Sequence, residues 1–112
     1  MEYLMTMLAP PGRLGEAAPD EVVSGVAEYA MRLAAEGKLR DGRQLRGAGF
    51  RVEPDVGGGR LVDGPFAEAK ELVGGYLVVE CESVEEAREL ALRNPHLKLG
   101  PISVQPVLPY GG

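Results

Sequence analysis

At 112 residues, with 45% apolar and 26% charged side chains, the chain suits one soluble globular domain, residues 1–112, with a single core. A net charge of -5 excludes the basic surface that nucleic acid or an anionic membrane would need, and no apolar run approaches the roughly 20 residues that span a bilayer. Cys81 is the one cysteine, so no internal disulfide can form, and a cytoplasmic location is expected for a chain that opens without the basic segment of a signal peptide.

Glu2 to Leu8 is apolar on both sides, with Leu4 and Leu8 facing one way and Tyr3, Met5 and Met7 the other. That pattern predicts a central strand buried on both faces. Pro10 and Pro11 end it, because proline cannot donate to a ladder. Asp20 to Glu36 reads as an amphipathic helix: Val22, Val26, Tyr29, Ala30 and Leu33 share a face, opposed by Glu21, Ser24, Glu28, Arg32 and Glu36. Asp20 is expected to cap its first turn, and Gly37 to take the left-handed position after its last. Gly25 costs a helix about 1 kcal/mol against alanine, which implies a close approach of the helix backbone to the sheet.

Lys38 to Gly42 then reads as a turn, and Arg43 to Phe50 as a strand interrupted by Gly47 and Gly49. Arg51 to Val56 and Arg60 to Val62, around the tip Gly57-Gly58-Gly59, form a hairpin. Asp63-Gly64-Pro65 is a turn that launches a short helix over Phe66 to Val73, ended by Gly74-Gly75. Gly75 to Glu82 is the clearest strand, with Tyr76, Val78 and Glu80 on one face and Leu77, Val79 and Cys81 on the other. Ser83 to Glu86 is a capping box, and the helix behind it is expected to bury Val84, Ala87, Leu90 and Ala91. Asn94-Pro95 stops that helix, and Ile102 to Leu108 is the last strand, with Pro106 tolerated near its end.

Without its middle insert this order is β-α-β-β-α-β. It predicts an α+β fold on the ferredoxin-like plan with a small hairpin insertion, in which both helices lie on one face of an antiparallel sheet. The other face would then expose an apolar patch from the first strand, Tyr76 and Val78. A second copy packed face to face covers such a patch with two-fold symmetry, so a homodimer through the sheet face is expected.

The densest group of ionisable side chains follows Asp63. A turn needs no more than this sequence offers, but Asp63, Glu68 and Lys70 also stand where they could line a pocket beside the sheet. His96, the one histidine, sits in a loop and reads as a surface residue; Cys81 reads as an inert core thiol. One histidine and one cysteine without ligand spacing argue against a metal, and no cofactor motif is present. Gly57-Gly58-Gly59 lacks the lysine and the helix of a phosphate loop. Tyr76 suits either the core or the polar edge of a dimer cleft.

The run DGPFAEAKE from Asp63 to Glu71, followed by Gly74-Gly75-Tyr76 and by Glu82 before the capped helix, resembles the DGPF-type branch of the YCII-related proteins. The resemblance implies a dimeric α+β barrel with a pocket near the dimer interface. By position it carries over Asp63, Gly64, Pro65, Phe66, Glu68, Lys70, Gly74 and Gly75. It also implies a His–Asp catalytic pair in related proteins, but this chain has no histidine before His96. A related domain is linked to dehydrochlorination, and the DGPF branch to sigma factors. The leading expectation is a small anionic or aromatic ligand bound by Asp63, Gly64, Pro65, Phe66, Glu68, Lys70 and Tyr76. The alternatives are a lyase or isomerase of small organic acids, with Asp63 or Glu68 as proton acceptor and Lys70 or Arg46 holding an anionic group, and a structural interaction module with no ligand.

Overall fold

A computed structural model of the chain describes residues 1–10, 19–47, 49–64 and 70–111. Its elements are β1 (Glu2–Ala9), α1 (Asp20–Ala35), β2 (Leu39–Gln44), β3 (Phe50–Asp55), β4 (Gly58–Asp63), β5 (Leu72–Glu80), α2 (Val84–Leu92), a 3-10 turn (Pro95–Lys98) and β6 (Ile102–Pro106). Four strands make one antiparallel sheet in the order β2-β5-β1-β6, and among the described residues β3 and β4 pair only with each other. Leaving out that hairpin, the order is the ferredoxin-like one, as the succession of elements predicts.

Alternation along the two central strands divides the sheet. Tyr3, Met5, Met7 and Ala9 of β1 and Leu77 and Val79 of β5 are buried under the helices. Met5 stands opposite Leu77 in the register and Leu4 opposite Val78, so the faces match across the ladder. Tyr29 and Leu33 of α1 and Ala87 and Leu90 of α2 complete the core. Each large apolar side chain buried there stabilises the fold by about 1.5–3 kcal/mol. The Tyr29 hydroxyl donates to the Leu90 carbonyl and ties the two helices together. On the other face Leu4, Thr6, Leu8, Tyr76 and Val78 are half-buried. Thus β1 is sealed on one side only.

Several local expectations are corrected. The second strand is Leu39–Gln44, not Arg43 to Phe50. The Glu80 N–H donates to the Lys38 carbonyl at 2.7 Å and Leu39 packs on the core, so pairing begins directly after the helix. Gly47 and Gly49 take φ of 66° and 61°, left-handed values that a strand does not use. Asp20 is the first helical residue rather than the cap: Pro19 precedes it, and the Val22 and Val23 N–H groups reach the Pro19 carbonyl at 3.0 and 3.1 Å. Gly37 does take the left-handed position, with φ 75°. Gly25 faces the 3-10 turn, not the sheet; an added Cβ would lie 3.3 Å from Pro95. Leu72 and Val73 belong to β5, so the helix expected over Phe66 to Val73 does not reach its predicted end, and residues 65–69 lie outside the described ones. Val84, the first residue of α2, is exposed rather than buried. The last strand stops at Pro106, where its partner β1 begins, rather than at Leu108; the Val107 N–H still donates to the Glu2 carbonyl at 2.9 Å. No helix among the described residues is long and apolar enough to cross a membrane.

Candidate functional site

Between α1 and the β2–β5 edge of the sheet lies a cavity of about 230 Å³. Met7, Gly75 and Leu77 form its floor, Val22, Val26 and Ala30 its roof, and residues 42–44 of the edge strand one side; His96 and Leu99 also line it. The lining is mostly apolar. Two glycines keep it open. A Cβ added at Gly42 would stand 2.6 Å from Leu77 Cδ2, and one at Gly75 would stand 3.0 Å from the Arg43 carbonyl and 3.1 Å from Met7 Cε. At Gly75 the neighbour is backbone and leaves no slack, whereas at Gly42 it is the movable end of Leu77.

His96 is brought to this cavity by a short chain of local causes. Asn94, buried, caps the 3-10 turn by accepting the His96 N–H at 2.9 Å, and Pro95 supplies the fixed φ of its first position. The turn seats Pro95 against Gly25 of α1, and the imidazole is swung inward. His96 is only 5% exposed, which corrects its reading as a surface residue. Its Nε2 lies 2.7 Å from the Leu8 carbonyl oxygen. A carbonyl only accepts, so Nε2 carries a proton, and in the neutral ring Nδ1 is an acceptor.

The family model of the YCII-related domain matches residues 1–110. The chain belongs to the YCII-related family. An uncharacterised protein of Rhizobium meliloti (strain 1021) is 38% identical over 52 residues, which are 45% of this chain and 42% of that relative, so the match spans less than half of the relative's length. Among solved structures, the 5-chloro-2-hydroxyhydroquinone dehydrochlorinase of Burkholderia phenoliruptrix AC1100, in complex with 2,5-dihydroxybenzoquinone, superposes with a TM-score of 0.61. That match covers 96% of this chain and 94% of the dehydrochlorinase at 21% identity, a likeness of fold.

In this YCII-related protein the motif residues are spread over two places. Gly74 and Gly75 line the cavity. Asp63 ends β4, exposed and opposite Phe50, and the Gly64 N–H donates to the Gly49 carbonyl at 3.1 Å. Lys70 and Arg46 are exposed. Among the described residues that line the cavity, Asp63, Gly64, Lys70 and Tyr76 do not appear. Pro65, Phe66 and Glu68 lie outside the described residues. Tyr76 is on the open sheet face, where its hydroxyl donates to Asp41 Oδ2 at 3.0 Å; that hydrogen bond, with burial second, holds the phenol above its ordinary range. Cys81 is buried, and burial pushes its thiol up, as suits an unreactive core residue. The sequence signal for His96 was the pair Gly25 and Pro95: a glycine inside a helix implies a close neighbour, and only a three-dimensional view shows which one.

Proposed function

We propose that this protein binds a small, single-ring molecule in the cavity beneath α1 and acts as a homodimer joined through the open sheet face. The cavity carries the first part. Drug-sized ligands occupy pockets of about 300–1,000 Å³, whereas an apolar cavity of about 150 Å³ takes up benzene. A volume of about 230 Å³ falls between them, at the size of one substituted ring. Gly74 and Gly75, two of the residues carried over by the motif, line this cavity. The DGPF motif adds a setting to this reading: a ligand-sensing accessory to a sigma factor.

A thermal-shift series of substituted benzenes, benzoates and quinones tests the reading. A ligand at a hundredfold excess over its Kd should stabilise the fold by about 2.7 kcal/mol. Ala27→Trp, at the exposed rim of the cavity, should abolish the shift without disturbing the core. No shift across the series would refute cavity binding.

Lyase chemistry is the second reading. It is favoured by His96, which with Arg43 and Gln44 breaks an otherwise apolar lining, and draws on the fold shared with a dehydrochlorinase. Asp63 as its proton acceptor is disfavoured, because an exposed carboxylate at the end of a hairpin gains no shelter from water. Release of chloride from a chlorinated hydroxyhydroquinone, lost in His96→Phe, separates this reading from binding alone.

A further inference from the structure

We infer that the ligand of this cavity is a hydroxylated ring, a phenol or enol, whose O–H donates to His96 Nδ1. This rests on the cavity binding proposed above and goes on to name the class of ligand.

The polarity of His96 is fixed from outside the cavity. Its Nε2–H is committed to the Leu8 carbonyl at 2.7 Å. That carbonyl has no freedom to turn away. Leu8 lies in β1, which pairs with β5 and β6, and its own N–H donates to the Pro101 carbonyl at 3.0 Å. Gly100 packs so closely on the Leu8 carbonyl that a Cβ there would overlap it. The turn that carries the imidazole is fixed by its Asn94 cap, which accepts the His96 backbone N–H. The ring therefore cannot exchange its two nitrogens without losing its hydrogen bond to Leu8.

Nδ1 is left as the acceptor. It has no hydrogen-bond partner among the described residues, and no buried side-chain nitrogen or oxygen among them is sealed off without one. The Nδ1 lone pair is thus not sealed off, and His96 is part of the cavity wall. The lining includes Met7, Val22 and Leu99, apolar groups that cannot satisfy a polar substituent of a ligand. A hydroxyl pointing at Nδ1 replaces a lost water hydrogen bond. An ether or ketone oxygen in the same place would set lone pair against lone pair. Phenols and enols are donors on a flat ring, and match both the acceptor and the size of the cavity.

The test uses the full chain and two probes of similar size, phenol and anisole, of which only phenol donates. Because the chain has one histidine, the two ring nitrogens of the uniformly 15N-labelled protein are unique in a long-range 1H–15N spectrum. The free protein with a neutral ring should show a protonated Nε2 and an unprotonated Nδ1. Phenol should bind at least about tenfold tighter than anisole and move the Nδ1 resonance; anisole should leave it in place. Ala27→Trp should remove the phenol-induced movement, which places the effect in the cavity. If both probes bind equally and Nδ1 does not move, the ligand class is wrong while cavity binding stands. A free protein with its proton on Nδ1 also overturns the inference. If neither probe binds, cavity binding and ligand class fail together.

Discussion

Gly100 shows how one absent side chain can hold a site together. A Cβ at this position would overlap the Leu8 carbonyl oxygen and come within 3.3 Å of Ala9 Cα. Both are backbone atoms of the central strand, so no rotamer change can relieve the clash. The same carbonyl accepts from His96 Nε2, and the Leu8 N–H is bonded to Pro101. Gly100→Ala should therefore act twice. Urea unfolding should show a loss of about 1–3 kcal/mol, the usual cost of overpacking a closed interior. The histidine ring resonances should also move in the folded variant, because the carbonyl that orients the imidazole must shift. A stability loss with unchanged histidine resonances would separate the packing of Gly100 from the geometry of the site.

The helices are joined to each other at one buried polar contact. Tyr29 of α1, 4% exposed, donates to the Leu90 carbonyl of α2, and its phenol is pushed up to about 12 by burial first and by the nearby Cys81 second. Tyr29→Phe leaves that carbonyl with only the Arg93 N–H, at 3.2 Å, and should cost about 0.5–1.5 kcal/mol at neutral pH. The sign of the pH effect follows from the raised value. The folded state holds this proton more tightly than an unfolded tyrosine near 10, so the contribution is complete below about pH 10 and is lost as pH rises toward 12. Urea midpoints measured across that window should fall less steeply in the phenylalanine variant. Contacts of this kind lay beyond the sequence, although the elements that make them did not. Tyr29 was placed on the buried face of α1 by its spacing with Val26 and Leu33. Ser83 and Glu86 announced the start of α2, and the Ser83 Oγ does accept the Glu86 N–H at 3.2 Å. The strand Leu39–Gln44 went unseen because its residues LRDGRQ are mostly polar and exposed, so nothing alternates. It is a strand through its pairing with β5, and an edge strand of that kind leaves its mark on its partner's backbone. His96 was misplaced for a related reason. Its burial depends on Gly25 and Pro95 meeting across seventy residues of chain, and the cavity it lines draws on β1, α1, β2, β5 and the 3-10 turn at once.

The whole molecule is flat, with extents of 46 × 39 × 19 Å, since both helices lie on one side of the sheet. The uncovered side has an apolar centre. Leu4 and Val78 are register partners there, and Tyr76 lies opposite Thr6 on the same face. The charges collect at its margin: Asp41 accepts from Tyr76, and Arg40 stands 3.9 Å from Glu2. An apolar centre inside a polar rim is the usual anatomy of an interface, and a stable pair needs about 800 Å² from each partner. In the proposed homodimer a two-fold axis sets this face against its own copy, so a charge placed near the centre meets both an apolar surface and its like-charged twin. Val78→Arg should therefore convert a dimer into a monomer in size-exclusion chromatography with light scattering, with association weakened at least a hundredfold. Val78 is half-buried and faces away from the helices, so the monomer should keep its native circular dichroism. It should also keep its ring-binding cavity, because Met7, Gly75 and Leu77 open toward α1 on the opposite side of the sheet. Loss of ligand binding along with dimerisation would mean that the second copy helps to shape the cavity. A wild-type protein that is monomeric at micromolar concentration would end the dimer proposal while leaving the cavity beneath α1 intact.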